Sequence, residues 1–326
     1  MIDEVIARLR SSVGFVGVSF HFDGAELEGI RTWPVIPKCN NFVFEISTLL
    51  AGDADVYWGT NHFIPRSTKL PSVVTIHDML LIRFPGEQRL SHFLANRMLS
   101  SVRRASKVVT DSKTTANDLL ALCPEARSKV EVVQLGYRGS NIIERPSLID
   151  QQVDKYVVML GAHRPRKNLT VAINAVGTLR ERGMNLRLIV TGDVHPSFSL
   201  DMARNSAFVE GTGVLSQDEL SRRLQESVAL LFPSTYEGFG FPILEAMAAG
   251  CPVIALDTPI NRETSGDGAI LLPHDPVKWG SAIESLVRSA SLRAEMQARG
   301  FQNLQRFSWQ TTAATYEQLF SQVRSE

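Results

Sequence analysis

Residues 228–256 read VALLFPSTYEGFGFPILEAMAAGCPVIAL, and this stretch decides the fold. An apolar run, Val228–Phe232, is followed by a glycine-rich loop, a short helix predicted over 242–249 and a second apolar run, Pro252–Leu256. Runs that are apolar without alternation are typical of parallel strands buried on both faces. A strand, a helix and a strand in this order predict a βαβ unit.

The same alternation of strands and helices extends over most of the chain. Other strands are predicted at Gly14–Phe20, Asp55–Trp58, Val73–Ile76, Lys107–Thr110, Val130–Leu135, Tyr156–Leu160, Leu186–Val190, Ala207–Val209 and Ala269–Leu272. Other helices are predicted at 41–51, 89–105, 112–121, 169–182, 216–226, 276–287, 289–306 and 309–325. The pattern predicts an α/β protein with parallel sheets covered on both faces.

The periodicity lapses over 139–153, where Pro146 interrupts the chain. The sequence therefore predicts two doubly wound, Rossmann-like domains, over 1–145 and 153–308. The last helix, over 309–326, is predicted to pack back toward the N-terminal domain.

Composition excludes several classes of protein. Lys+Arg and Asp+Glu both number 34, and this zero net charge argues against a general nucleic-acid binder. The three cysteines are far apart and form neither a disulfide framework nor a metal-binding spacing, which favours a reducing cytoplasm. No apolar run approaches the roughly 18 residues of a membrane span, and no secretory signal is recognised.

The loop before the 242–249 helix has the composition of an anion site. Pro242 suits the first helical position and Gly250 the position just past the end. Glu237–Gly240 then lies over a helix N-terminus at the carboxyl end of a parallel strand, where phosphate is bound in open α/β sheets. Glu245, one turn into the helix, is placed to accept hydrogen bonds from a sugar hydroxyl. On these residues alone, an ordinary turn with an acidic helix start explains the pattern equally well.

A resemblance to a known family distinguishes these alternatives. EGFGFPILEAMAAGCPVIA resembles the donor-binding signature of retaining glycosyltransferases of family 4, the Glu-x7-Glu group. The Pro-Arg-Lys-Asn segment at 165–168 resembles that of the family's bacterial mannosyl- and rhamnosyl-transferring members. Further similar segments follow in the family's order: VVTIHDM (73–79), VVTDSKTTANDLL (108–120), VEVVQLGY (130–137), GAHRPRKN (161–168) and FSWQTTAATY (307–316). The resemblance covers roughly residues 50–325. It implies the GT-B fold, in which two Rossmann-like domains face each other across a cleft.

The resemblance assigns roles to the glycine-rich loop and its two glutamates. Glu245 is expected to hold the nucleotide ribose, and Glu237 the hydroxyls of the donor sugar. The backbone amides of Gly238, Phe239 and Gly240 are expected to contact the donor sugar or its phosphate.

Three further side chains are carried over in the same way. Arg166 and Lys167 are expected to neutralise the diphosphate, since fixed cations stabilise the charge that develops on a leaving phosphate. His77 is expected to contact the donor sugar near the reacting carbon, while Asp78 either orients the imidazole or caps a turn. Structural alternatives are a solvated basic turn for Arg166 and Lys167 and a structural His-Asp pair.

The expected reaction is transfer of a hexose from a nucleotide diphosphate sugar, with GDP-mannose as the first candidate, and with retention at the anomeric carbon. No cofactor is expected beyond the donor substrate, and no divalent metal. Asp53-Ala54-Asp55 has an Asp-x-Asp form, but it stands at the start of a strand rather than past its end. Two other classes stay open: an inert nucleotide-sugar-binding relative and a sugar-nucleotide epimerase of the same fold.

The acceptor side is less well specified. Residues 89–107 carry five Lys/Arg and no acid, with an apolar stripe of Leu90, Phe93, Leu94 and Met98. This helix either makes a peripheral contact with the inner face of a membrane, suiting a lipid-linked or other glycan acceptor, or packs its apolar face on the sheet. Two departures from the family pattern concern other regions. Ala162, His163 and Arg164 replace the usual Thr, Leu and Glu, and the family's first strand and glycine-rich loop are expected to be missing before IDEVIARLR.

Overall fold

The structure, a computed structural model, describes residues 2–9, 54–87, 90–137 and 155–325. The predicted strand Gly14–Phe20, the predicted helix 41–51 and the predicted domain boundary at 139–153 lie outside these residues.

The chain divides into two compact units. The first unit comprises Met1–Gly136 and Phe307–Glu326, and the second comprises Tyr137–Arg306. The C-terminal segment therefore belongs to the first unit, although the second unit precedes it along the chain.

The first unit contains a parallel sheet of four strands in the order β1-β2-β3-β4 among its described residues. These strands are β1 (Tyr57–Gly59), β2 (Ser72–Ile76), β3 (Lys107–Thr110) and β4 (Val130–Val132). Among the described residues, the helices up to β4 are α1 (Ile2–Leu9), α2 (Leu80–Arg83), α3 (Ser91–Arg104) and α4 (Lys113–Leu122). Every residue of β2 is buried, as expected for a strand covered on both faces.

The second unit contains a six-stranded parallel sheet. Its strands are β5 (Lys155–Ala162), β6 (Leu186–Val194), β7 (Val209–Gly213), β8 (Leu230–Phe232), β9 (Val253–Leu256) and β10 (Ala269–Leu272). Its helices are α5 (Leu169–Glu181), α6 (Ser199–Arg204), α7 (Gln217–Glu226), α8 (Phe241–Ala248), α9 (Pro259–Ser265), α10 (Pro276–Arg288) and α11 (Ala290–Leu304). Both sheets have the parallel α/β character that the sequence predicts.

Strand order in the second unit determines where a ligand site is expected. The order is β10-β9-β8-β5-β6-β7, so the chain builds outward from β5 in one direction and then returns to start β8 on its other side. Such a reversal of strand order opens a crevice beyond the carboxyl ends of the two central strands. The segments that follow β5 and β8 therefore form the expected site.

The last helix, α12 (Trp309–Ser325), packs against α1 and β2 within the first unit. Tyr316 is fully buried, and its hydroxyl shares a 3.0 Å hydrogen bond with Thr75 Oγ1. Trp58 Nε1 donates to the same oxygen at 3.1 Å, and the Trp58 and Tyr316 ring centroids lie 4.9 Å apart. The polar atoms that these aromatic side chains bring into the core are thus paired, as buried polar groups require.

Local sequence signals locate several helix ends correctly. Ser112 caps α4 by accepting a hydrogen bond from Thr115 N, and Ser216 forms a capping box with Glu219 at the start of α7. Gly250 follows α8 with a φ of +67°, a left-handed conformation that favours glycine. Pro242 is the second rather than the first residue of α8, because the helix already begins at Phe241.

The predictions from the sequence pattern are wrong for elements that are short or rich in glycine. It predicts neither α6 nor α9, which are six and seven residues long and too brief to show a helical period. It also places a strand at Ala207–Val209, whereas β7 runs over Val209–Gly213. Pairing with β6 extends the strand through Gly211, and it becomes irregular at Gly213, which has a left-handed φ of +70°.

The basic helix predicted over 89–105 is α3, and its apolar stripe divides into two parts. Met98 is buried and Leu94 is half-buried, whereas Leu90 and Phe93 are 68% and 57% exposed. The two consecutive arginines at the end of α3 are held by other parts of the first unit. Arg103 pairs with Glu125 at 3.0 Å, and Arg104 donates to the backbone oxygens of Ile64 and Pro65. None of the helices in the described ranges is long and apolar enough to cross a bilayer.

Packing around α12 predicts the effect of a methyl group at Gly136. A Cβ atom there would lie 2.3 Å from Trp309 N and 2.5 Å from Trp309 Cα, and this backbone has no room to move without disturbing α12. We expect Gly136→Ala to destabilise the first unit by about 1–3 kcal/mol through overpacking. Thermal unfolding measures the effect. Gly86→Ala is the control, because a Cβ at Gly86 meets nothing within 4 Å, and equal melting temperatures for the two variants would contradict the packing described.

Candidate functional site

The segments after β5 and β8 meet at the carboxyl edge of the second sheet. A 3₁₀ turn, Pro165–Lys167, follows β5, and the loop 233–240 follows β8. Thr235 N donates to the Arg166 backbone oxygen at 2.9 Å, and Asn168 Nδ2 donates to the Pro233 oxygen at 3.4 Å. These bonds hold together two loops that are about seventy residues apart in sequence.

Lys167 and Glu237, both predicted site residues, form a buried ion pair in this position. Lys167 Nζ donates to Glu237 Oε1 at 2.6 Å and lies 5.4 Å from the centroid of the Phe232 ring. Arg166 Nη1 lies 3.9 Å from the same carboxylate oxygen. The side chains of Arg166 and Lys167 are each 8% exposed and that of Glu237 is 14% exposed. The solvated basic turn, one of the two alternatives for Pro165–Lys167, is therefore wrong.

Ser234 also binds this carboxylate. Its hydroxyl donates to Glu237 Oε1 at 2.5 Å, and the residue is only 1% exposed. Ser234 was not predicted as a site residue. It lies three residues before Glu237 and two residues after the end of the buried strand β8, and therefore at the same edge of the sheet. Short hydrogen bonds to an ionised oxygen are among the strongest that neutral side chains make.

The glycine-rich loop is shaped by its packing against α9. Gly240 has a φ of +95°, and Phe239 is buried with its ring centroid 5.0 Å from that of Phe241. The Thr264 hydroxyl donates to the Phe239 backbone oxygen. A Cβ atom at Gly240 would lie 3.4 Å from Thr264 Oγ1 and would need the left-handed conformation that only glycine adopts easily. The backbone of Gly238, Phe239 and Gly240 therefore lies at the N-terminus of α8, as predicted.

Glu245 lies on α8, one turn from its start. Burial raises the pKa of its carboxyl above the ordinary value, and the charge of Lys167 works in the opposite direction. Within the described part of the chain, no side-chain hydrogen bond reaches this carboxylate. Burial and the charge of Glu245 together raise the pKa of Tyr137 to about 12, so Tyr137 is a neighbour that sequence reasoning missed.

The three residues that depart from the family pattern lie beside the same cations. Ala162 is buried at the end of β5, and His163 is exposed. Burial and the charges of Lys167, Arg166 and Arg164 lower the pKa of the His163 imidazole. Arg164 thus adds positive potential at this edge of the sheet.

His77 lies in the first unit, at the carboxyl end of β2, and both its ring nitrogens are engaged. Nδ1 lies 2.6 Å from Asp111 Oδ2, and Nε2 lies 2.8 Å from the Thr60 backbone oxygen. Because a carboxylate and a carbonyl oxygen only accept, both nitrogens carry protons in this arrangement. Burial disfavours this imidazolium, but the hydrogen bond and charge of Asp111 outweigh it, and the pKa of His77 is raised above 6.5.

Asp78 caps a turn, and Asp111 orients the imidazole. Asp78 Oδ1 accepts a hydrogen bond from Leu80 N at 2.9 Å, which decides between the two alternatives for this residue. The sequence analysis missed Asp111 as the partner of His77. Asp111 directly follows β3, which pairs with β2, so the two residues lie at the carboxyl ends of neighbouring strands.

A second histidine, His62, lies against His77 and was also missed. The two ring centroids are 5.7 Å apart at an interplanar angle of 83°. His62 has a left-handed φ of +62°, and its backbone N–H donates to the Thr75 backbone oxygen at 2.9 Å. Burial and the charge of His77 lower the pKa of His62 to about 3, so this imidazole is neutral at physiological pH. No sequence pattern separates it from an ordinary loop histidine.

Among the described residues, no group of three or more His, Cys, Asp or Glu side chains is arranged to hold a metal ion. Asp53, the first residue of the Asp-x-Asp pattern, lies outside the described residues. Asp55 is exposed and pairs with Arg324 at 3.3 Å.

Comparison with protein families identifies the second unit. Residues 142–303 match the family model of glycosyl transferases group 1. The chain carries a glycosyl transferases group 1 domain. The group 1 domain contains the Arg166, Lys167, Glu237 and Glu245 cluster, and the resemblance to glycosyltransferases of family 4 is confirmed at this level.

Curated relatives of the group 1 protein include two bacterial enzymes. The O-antigen chain mannosyltransferase RfbU of Salmonella typhimurium is 27% identical over 240 residues, which are 72% of this chain and 65% of the relative. The O-antigen chain mannosyltransferase B of Escherichia coli is 24% identical over 272 residues, which are 78% of this chain and 71% of the relative. The matched region thus spans about two thirds of the length of these relatives.

Solved structures agree on the fold of the group 1 protein. The crystal structure of Anabaena Alr3699/HepE in complex with UDP and glucose has a TM-score of 0.70 and is 18% identical. The similarity covers 90% of this chain and 86% of that one. An α/β fold with two parallel sheets, matching that of GT-B glycosyltransferases, is confirmed.

The hydrogen bonds of His77 predict how its pKa depends on Asp111. We expect Asp111→Asn to lower the pKa of His77, because burial then acts on the imidazole without an opposing charge. Titration of the histidine ring protons by NMR measures this. Asp78→Asn is the matched control, since the charge of Asp78 is the last and smallest of the causes that raise this pKa. The assignment is wrong if the two variants shift the pKa equally.

The same pKa shift predicts a pH dependence of stability. A histidine whose pKa is raised in the folded state stabilises it fully below its unfolded pKa of about 6.5, and this contribution is lost as the pH rises through the folded value. Unfolding of the wild type between pH 6 and 9 should show this loss. In Asp111→Asn the loss should be smaller, and an unchanged pH profile would contradict the His77–Asp111 pairing.

Proposed function

We propose that this protein transfers a hexose from a nucleotide diphosphate sugar to a glycan or lipid-linked acceptor, with retention of configuration at the anomeric carbon. The observation that carries the proposal is the convergence of Arg166, Lys167, Glu237 and Glu245 beyond the carboxyl ends of β5 and β8. Two cations beside a helix N-terminus suit a diphosphate, and two carboxylates suit the hydroxyl groups on either side of it.

Arg166 and Lys167 are assigned to the diphosphate. The charge that develops on the leaving nucleotide diphosphate is stabilised by cations that are already held in place before the reaction. Lys167 is held by Glu237, and its ammonium group has three N–H donors, of which this bond uses one. Arg166 offers a planar guanidinium that binds two oxygens at once.

Glu245 is assigned to the ribose of the nucleotide. Its carboxylate is partly buried, and the described residues supply it with no side-chain hydrogen bond. A hydroxyl group that donates a hydrogen bond to an ionised oxygen in such surroundings stabilises its charge. The vicinal hydroxyls of a ribose beside the diphosphate provide this, as in dinucleotide sites.

Glu237 and the backbone amides of Gly238, Phe239 and Gly240 are assigned to the transferred sugar and its phosphate. For His77 we propose an electrostatic role rather than proton transfer. Both of its nitrogens already donate in the described arrangement, so it has no free lone pair to act as a base. The family resemblance implies front-face displacement assisted by the leaving phosphate, for which a fixed cation is the more suitable group.

Mannose, carried by GDP, is the proposed donor, and no metal is proposed to take part. Both curated relatives described above are named as mannosyltransferases, which supports this choice of sugar. The Anabaena structure contains UDP and glucose, so a uridine nucleotide is the principal competitor. We further propose that the protein acts in the cytoplasm at the inner face of the membrane, and exposed Leu90 and Phe93 support a peripheral contact.

A thermal-shift screen against GDP, UDP, dTDP and ADP, each with and without its attached sugar, tests this function. A ligand at about one hundred times its dissociation constant adds roughly 2.7 kcal/mol, which is readily measured. A shift selective for GDP and GDP-mannose is the expected result. Absence of a shift with every nucleotide would contradict the proposal and favour an inert relative, and donor consumption without an acceptor product would favour an epimerase.

The assignment of Glu245 predicts the effect of its removal. We expect Glu245→Ala to weaken nucleotide diphosphate binding by about tenfold or more, since hydrogen bonds to a charged group contribute about 1.5–3 kcal/mol. The fold should persist, because alanine is favourable within a helix. Titration calorimetry measures the change. Glu295→Ala, which removes an exposed carboxylate paired with Arg299 on α11, is the control, and unchanged binding by Glu245→Ala would refute the ribose contact.

A further inference from the structure

We propose that Ser234 is a positioning residue that fixes the Glu237 carboxylate, so that Oε1 is held by the protein and Oε2 is presented to the sugar of the bound nucleotide sugar. This inference rests on the proposed function and adds a residue to it. Ser234 acts through Glu237 and makes no contact with the substrate itself.

The hydrogen bonds and ion pairs of the Glu237 carboxylate, among the described residues, all involve one of its two oxygens, Oε1. Lys167 Nζ at 2.6 Å, Ser234 Oγ at 2.5 Å and Arg166 Nη1 at 3.9 Å each approach Oε1. No hydrogen bond or ion pair to Oε2 occurs among the described residues. An ionised carboxylate has acceptor sites on both oxygens, so the second oxygen is the one left for hydroxyl donors of a ligand.

Ser234 has one proton to donate and two acceptors within reach. Its Oγ lies 2.5 Å from Glu237 Oε1 and 3.3 Å from the Tyr236 backbone oxygen. The shorter contact, to a charged oxygen, is the stronger of the two. The hydroxyl proton therefore lies toward Glu237 and fixes the direction of its carboxylate.

Ser234 and Lys167 hold the carboxylate in different ways. Lys167 has a long side chain and a positive charge, so a bound diphosphate competes with Glu237 for its ammonium group. Ser234 is neutral and 1% exposed, and it has a single side-chain torsion directly after β8. Its bond to Glu237 is not weakened by an arriving anion. We infer that Ser234 keeps Glu237 oriented once the cations turn toward phosphate.

The test compares Ser234→Ala with Ser234→Thr, which retains the hydroxyl. Ser227→Ala is the control, because Ser227 is also buried and lies before β8, at the other end of the strand, where its hydroxyl donates to the Leu224 oxygen at 2.9 Å. Calorimetry gives the dissociation constants of GDP and GDP-mannose, or of the nucleotide pair that the screen selects. Initial rates of sugar transfer or release give kcat and KM.

Ser234→Ala should weaken binding of the nucleotide sugar about tenfold and lower kcat, while GDP binding changes less than about twofold. Ser234→Thr should restore most of the loss, and Ser227→Ala should behave as the wild type in both measurements. These results together support the positioning role, because a loosened fold would weaken both ligands alike.

Two results would overturn the inference. Wild-type values of both dissociation constants and of kcat in Ser234→Ala would show that Glu237 needs no such anchor. Equal loss of GDP and GDP-mannose binding, with a lower melting temperature, would show a purely structural role. If the wild type binds none of the nucleotides, the proposed function itself fails, which is a different outcome from either of these.

Discussion

The buried ion pair between Lys167 and Glu237 is the contact on which the candidate site depends. It joins the segments after β5 and β8, the two central strands on either side of the reversal in strand order. Taking an ammonium and a carboxylate out of water is costly, and their attraction offsets this only when the geometry is good and further hydrogen bonds are made. The structure meets this condition with the Ser234 hydroxyl on the carboxylate and the Phe232 ring beside the ammonium. Separation of the two loops would leave both partners as unpaired buried charges. The ion pair therefore fixes the two loops relative to each other.

In the first unit, two neighbouring imidazoles are driven to opposite protonation states by their surroundings. His77 faces a carboxylate and a carbonyl oxygen, and these two acceptors favour its charged form. His62 forms no ion pair with a carboxylate among the described residues, and burial together with the charge of His77 keeps it neutral. Its Nδ1 is buried without a hydrogen-bond partner among the described residues, and its backbone is left-handed. Backbone strain and buried polar atoms without hydrogen-bond partners are concentrated at the functional sites of proteins. The region around His77 therefore has two histidines with distinct chemistry, of which only the charged one was predicted.

Local sequence signals predicted most of the fold because they act within a few residues. The strand Lys107–Thr110, the helix predicted over 112–121 and the helix stop at Gly250 each depend on neighbours in the chain, and the structure has all three. Partners from different strands were not predicted. Asp111 reaches His77 only because β3 pairs with β2 in a particular register, and one sequence gives no direct measure of register. Ser234 was missed for a different reason, since a serine after a strand is usually a turn residue and its contact with Glu237 appears only once the loop is folded.

Charge at the carboxyl edge of the second sheet supports the proposal that this site binds a nucleotide diphosphate rather than a free sugar. The chain as a whole has no net charge, yet the charges of Arg164, Arg166 and Lys167 all act at this edge, where Lys167 pairs with Glu237 and its charge also acts on Glu245. Burial and the charges of these three cations together lower the pKa of His163. The N-terminus of α8 adds a partial positive charge of the same sign. A diphosphate gains from these cations and from the helix N-terminus, whereas a neutral sugar does not, so we assign the electrostatic part of recognition to the leaving group rather than to the sugar that is transferred.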